Sequence, residues 1–157
     1  MTPAPTTKGT TLQVRRTIPA SREAVFRAWT DPDVVRQWFG ARGGSTLHAD
    51  MDVRVGGRYR LDMESSMGTG SIFGEYLEVT PPERLVYTFR WDRVPVAIPD
   101  TQVTVEFLEL EAATEVVITH ERQPSRAVSE FHAWGWDGSL EKLAALFGNA
   151  KEAAGDG

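Results

Sequence analysis

Cysteine is absent from the chain, which excludes disulfides, thiolate metal sites and cysteine nucleophiles. Lysine is scarce, three residues against fourteen arginines. Arginine codons are rich in G and C, so the imbalance points to a GC-rich bacterial genome. There is no polybasic segment for an anionic membrane. The formal charge of -5, with both signs interspersed, lacks the basic face of a nucleic-acid binder. No apolar run approaches the roughly 18–20 residues of a membrane span. The Thr/Pro-rich start, Met1 to Gly9, has no hydrophobic segment of the secretory kind. The expectation is a cytoplasmic protein with no nucleic-acid partner and no membrane insertion.

Motifs of chemistry are missing as well. His48, His120 and His132 show no HxxxH, HxH or HExxH spacing, so no metal site is expected. Gly56-Gly57 is not followed by GK[ST] and leads into a strand, which rules out a phosphate loop. Ser129 and Ser139 have no GxSxG context. Asp50 with Asp52, and Glu106, Glu109 and Glu111, read as solvated sheet edges. No catalytic constellation and no cofactor motif emerge.

What is there is aromatic surface: 10% of the 157 residues, five of them tryptophan, enough to build a real core in one domain. Residues 10–148 read as that domain, with 1–9 and 149–157 as flexible ends. Leu12 to Ile18 alternates as a strand ended by Pro19. Ser21 caps a helix to about Thr30, with Val25, Phe26 and Trp29 as its apolar stripe. Asp31-Pro32 starts a second short helix whose buried side is Val34, Val35, Trp38 and Phe39. Period two then takes over: Leu47 to Val53, Arg58 to Glu64, Ser71 to Val79, Arg84 to Trp91, Thr101 to Leu110 and Thr114 to Glu121. Met67-Gly68-Thr69-Gly70 reads as a hairpin turn and Asp92 to Asp100 as a loop. Ser129 to Phe147 is the longest helical pattern, with Trp136, Leu140, Leu143 and Phe147 on one face, Ser129 as cap and Gly148 as stop. One strand, two short helices, about six strands and a long helix make an α+β chain with an antiparallel sheet of about six to seven strands.

That order, with several local strings, resembles a known group. The strings are Phe26-Arg27-Ala28-Trp29-Thr30-Asp31-Pro32, Trp38-Phe39, Val55-Gly56-Gly57, Gly74-Glu75-Tyr76-Leu77-Glu78-Val79, Pro81-Pro82-Glu83-Arg84-Leu85-Val86, Thr114 with His120, and Gly135-Trp136. Over about residues 12–147 the chain resembles the START-like (SRPBCC, helix-grip) superfamily. Within it the chain is most similar to bacterial homologues of the activator of heat-shock protein 90 ATPase. The resemblance implies a curved sheet wrapped around the C-terminal helix, with a cavity between them. The eukaryotic namesake carries a further chaperone-contacting domain for which 157 residues leave no room, so chaperone contact is the lesser expectation.

The expected ligand cavity is lined by Trp38, Phe39, Tyr59, Met63, Phe73, Tyr76, Trp91, Phe107, Val116, Ile118, His120, His132, Trp136 and Leu140. His120 shares strand parity with Val116 and Ile118, so it faces inward, as a hydrogen-bonded core residue or as a base. His132, one turn before Trp136, lies at the cavity mouth or on the surface. The leading expectation is a non-catalytic binder of a small hydrophobic molecule. The alternatives are a polyketide cyclase- or aromatase-like enzyme using His120, Tyr59, Tyr76 or Glu130, and a chaperone-associated stress protein. A homodimer is compatible with the sequence, although no feature establishes one.

Overall fold

The structure, a computed structural model, describes residues 6–8, 11–66, 68–92 and 98–156. Its elements run β1 (Thr6–Lys8), β2 (Thr11–Ile18), α1 (Arg22–Thr30), α2 (Pro32–Trp38), β3 (Ser45–Met51), β4 (Arg58–Ser65), β5 (Gly68–Thr80), β6 (Arg84–Asp92), β7 (Ile98–Leu110), β8 (Ala113–Glu121) and α3 (Arg126–Asp156). The strands form a single antiparallel sheet in the order β1-β2-β8-β7-β6-β5-β4-β3. From β3 to β8 each strand pairs with the next, as short turns require. The first long strand closes the far side by pairing with the last. This is the α+β fold with an antiparallel sheet that the element order implied, in the curved, helix-gripping form that the resemblance implied.

The two short helices start where their caps dictate. The Ser21 hydroxyl accepts the Ala24 N–H, and Asp31 accepts the Asp33 N–H with Pro32 at the first turn. Their apolar sides, Val25, Phe26, Trp29, Val35 and Trp38, sink into the core. Phe26 and Trp29 meet Phe107 edge-on at 5.3 and 5.4 Å.

Several boundaries differ from the expected ones. Thr6–Lys8, expected to be part of a flexible end, pairs in register with Thr11–Gln13, which supplies the edge of β2 with backbone partners. The β4–β5 turn falls before Gly68, because Gly68–Gly70 already pairs with Met63–Ser65; Met67 itself lies outside the described residues. β3 begins and ends two residues earlier than expected. Of the expected loop, 93–97 lies outside the described residues, while Ile98–Asp100 opens β7. Ser129 is not the cap of α3. Its place is taken by Ser125, whose hydroxyl accepts the Val128 N–H. Nor does Gly148 stop the helix. The good helix formers beyond it, Ala150-Lys151-Glu152-Ala153-Ala154, carry α3 on to Asp156.

Candidate functional site

Helix α3 lays Trp136, Leu140 and Leu143 into the core at 3% exposure or less, the face that the i, i+4, i+7 spacing marks. Opposite its first half the sheet presents the inward parity of β4 to β6: Tyr59, Leu61 and Met63, then Ile72, then Tyr87, Phe89 and Trp91. The helix and these strands do not close completely. Between α3, the 39–44 segment after α2, and the β4–β5 hairpin lies a cleft of about 60 Å³. On the same measure one water needs roughly 10–15 Å³. Phe39, Met63, Phe89, Trp91, Phe131, Trp134 and Trp136 supply its carbon surface. A second space of about 30 Å³ lies among Trp29, Trp38, Tyr59, Tyr76 and Tyr87, beside α1 and α2. Phe39 and Phe89 line both and form the partition.

One wall of the cleft is clamped to the helix. The Gly40 N–H donates to the Ser139 hydroxyl at 2.9 Å, and that hydroxyl donates to the Gly135 carbonyl at 2.8 Å. Lys142 donates to the Gly44 carbonyl at 2.8 Å and to that of Ala41 at 3.3 Å. Thr46 donates to the Phe39 carbonyl at 2.8 Å, fixing the strand end of the same segment.

Behind the cleft the polar atoms of its rings are turned away and paired. The Thr101 hydroxyl donates to the Phe89 carbonyl at 2.8 Å, so it is left to accept from His120 Nε2, 2.7 Å away. His120 therefore carries its proton on Nε2, and Nδ1 accepts the Trp136 indole N–H at 3.1 Å. His132 is the mirror case. Its Nε2 accepts the Trp91 indole N–H at 3.0 Å, which leaves Nδ1–H to donate to the Gln123 side-chain oxygen. Gln123 in turn donates to the His120 carbonyl and the Ser129 hydroxyl. The two imidazoles stack at 4.2 Å. Burial, and then the proximity of His132, hold His120 well below the usual imidazole range, and burial pushes His132 down to about 3. Both rings are neutral and fully bonded at neutral pH, so neither serves as a base there.

The expected cavity residues sort cleanly. Phe39, Met63, Trp91, His132 and Trp136 line the cleft; Trp38, Tyr59 and Tyr76 join Phe39 at the second space. His120 stands behind both, fully buried. Phe107, Val116, Ile118 and Leu140 are packed core, at 1% exposure or less, and touch neither space. Phe73 is a correction: it is on the outer face, paired across the sheet with Arg60 and Arg90 and capped by the Arg60 guanidinium at 5.3 Å. Strand parity separates it from Ile72 and Tyr76, which face inward. Sequence reasoning missed Phe89, although its parity with Trp91 marks it, and also Trp134, Gly135, Thr101 and Gln123.

The other groups nominated for catalysis are also engaged or remote. Tyr59 donates to the Thr88 carbonyl at 2.7 Å. Burial pushes the Tyr59, Tyr76 and Tyr87 hydroxyls up, so all three stay protonated. Glu130 is on the exposed side of α3, 3.3 Å from Arg126. No cluster of three metal-ligating side chains occurs among the described residues, and no helix among them is long and apolar enough to cross a membrane.

The family described as "Activator of Hsp90 ATPase homolog 1-like protein" matches residues 19–148, which takes in α1 and α2, all of β3 to β8 and the cleft wall of α3. The chain belongs to this family. With it comes membership of the START-like superfamily, in keeping with the fold. Protein CV1439 from Chromobacterium violaceum is 31% identical, with a TM-score of 0.77 over 89% of this chain and 98% of that one. The AHSA1 protein from Silicibacter pomeroyi is 24% identical, with a TM-score of 0.74 over 89% and 99%. CalU16 from Micromonospora echinospora is 24% identical, with a TM-score of 0.68 over 87% and 75%. The latter two share the fold of this family member and say no more than that. Among curated proteins no sequence matches the chain.

Proposed function

We propose that this family member is a binding protein for a small hydrophobic molecule, held in the cleft between α3 and the β4–β5 hairpin. One observation carries the reading. The rings that wall the cleft turn their polar atoms inward, where Trp91 pairs with His132 and Trp136 with His120, and present carbon to the space. Such a wall attracts apolar surface, and its imidazoles, with both nitrogens paired, offer a reacting group no base.

The test is thermal unfolding across a broad panel of uncharged hydrophobic molecules, together with native mass spectrometry of the protein as purified. A ligand at a hundred times its Kd stabilises by about 2.7 kcal/mol, which for a chain of this size raises the midpoint by roughly 5–10 °C. A panel with no shift, and a spectrum showing only the bare chain mass, would overturn the reading.

A further inference from the structure

Of the glycines inside helix α3, those at 135 and 138 lie along the cleft and its wall, and each costs stability relative to alanine. Gly138 has a packing reason: a Cβ there would stand 2.6 Å from the Arg42 nitrogen and 3.0 Å from Ala41 Cα. Gly135 has none. A Cβ there would meet nothing within 4 Å, and the residue lines the cleft. Among the described residues no packing contact calls for a bare backbone at 135, and unlike Gly148, which is equally open, Gly135 faces the cleft.

We propose that Gly135 is the specificity-determining contact of the cleft, and that the molecule lying on it is an uncharged, planar, ring-bearing compound. The inference rests on the binding reading above and narrows it. Glycines at 40, 44, 68 and 70 bare the backbone of the facing segments too, so the cleft joins aromatic walls to low-relief ones. A flat ring matches that shape; a flexible chain gains little from it. Charge selects further. Among the described residues no Lys or Arg lines the cleft, and the one charged residue there is the exposed Glu64, so an anion finds no partner among them. The size fixes how far a ring enters. The cleft's 60 Å³ is smaller than the ~150 Å³ dry cavity that accepts a benzene. One edge of the ring is held inside, and the remainder covers the mouth beside Phe131 and the 44% exposed Trp134.

The experiment is a ligand-observed NMR titration at pH 7 with 2-naphthol, 2-naphthoate and 1-octanol, on the wild-type chain and on Gly135→Leu and Gly135→Ala. The expected result is that 2-naphthol binds at least tenfold tighter than either other probe. Gly135→Leu, with its thermal midpoint unchanged or raised, weakens it at least tenfold, and Gly135→Ala, which adds one methyl, by two- to fivefold. If both folded variants bind 2-naphthol as the wild type does, the Gly135 contact is overturned. If 1-octanol or 2-naphthoate binds as tightly as 2-naphthol, the planar, uncharged class is overturned. If none of the three binds while another member of the wider panel does, this inference falls and the binding reading stands; if nothing in the panel binds, both fall.

Discussion

At the scale of single residues, the imidazoles of His120 and His132 decide how the protein responds to acid. A histidine whose folded pKa lies below its unfolded value of about 6.5 binds fewer protons in the native state than in the unfolded one. Its contribution is complete above pH 6.5 and is lost as pH falls from there toward the folded pKa, which for His132 is about 3. By pH 5 the linkage amounts to about 2 kcal/mol for that ring, and His120, displaced in the same direction, adds to it. Asp62, held low by hydrogen bonds from Arg60 and Ser71, gives up its contribution only below the ordinary carboxylate range. The interval from pH 6.5 to 5 therefore belongs to the histidines. Urea unfolding at pH 7.5 and 5.0 should show a loss of 2 kcal/mol or more in the wild type. His132→Gln, though less stable at pH 7.5, should lose about half as much, the part that His120 carries; a wild-type stability that is flat between the two values would contradict the assignment. Thr101 supports the same network from below. Thr101→Val keeps the shape but orphans the Phe89 carbonyl and the His120 Nε2–H, each worth about 1–3 kcal/mol when buried without a partner. The expected cost is about 2–4 kcal/mol by denaturant midpoint, and a cost under 1 kcal/mol would refute it. The inward aim of His120 was legible from its parity with Val116 and Ile118. That both of its nitrogens are spent was not, because the partners sit 19 residues back on β7 and 16 residues on along α3.

At the scale of elements, α3 shows how far local pattern reaches. Its buried face and the caps of α1 and α2 follow from spacing and residue type alone, so they could be read directly. Its ends could not, since Gly148 is a weak stop when the residues after it favour helix, and the helical pattern from Ser129 onward does not show that a turn already precedes it, capped by Ser125. The two mid-helix glycines give the sharpest test at this scale. They lie three residues apart and cost the isolated helix the same. Gly135→Ala relieves that cost in open space, so it should stabilise by about 0.5–1 kcal/mol. Gly138→Ala forces a methyl against the Ala41–Arg42 backbone, strains the clamp that holds the cleft wall, and should destabilise by about 1–3 kcal/mol. Opposite signs in urea midpoints are the expected outcome, and equal signs would show that the helix sits differently on the 39–44 segment.

At the scale of the whole molecule, a long helix crossing a curved sheet leaves space that the aromatic side chains fill only in part. The sequence supports that statement as far as it goes. It cannot say that the remaining space is divided, because the division depends on where two rings come to rest. Phe39 is set by the Thr46 hydrogen bond to its carbonyl and by edge contacts with Trp38 and Trp136, both at 5.6 Å. Phe89 is set by the Thr101 bond and by the stacked histidines at 5.0 and 5.4 Å. Removing one ring should therefore join the two spaces. Phe39→Ala deletes a 9% exposed side chain at a cost of about 3–5 kcal/mol. In return it opens a continuous channel from the mouth to the tyrosines beside α1. A neutral tricyclic probe, 9-anthracenemethanol, should then bind at least tenfold tighter to Phe39→Ala than to the wild type, while 2-naphthol gains little. Should the variant be too unstable to titrate, Phe39→Leu opens the same path by a smaller amount and should move the tricyclic probe in the same direction. Unchanged affinity for that probe in a folded variant would mean that something other than Phe39 separates the two spaces, and that the cleft beside α3 is the whole of the site.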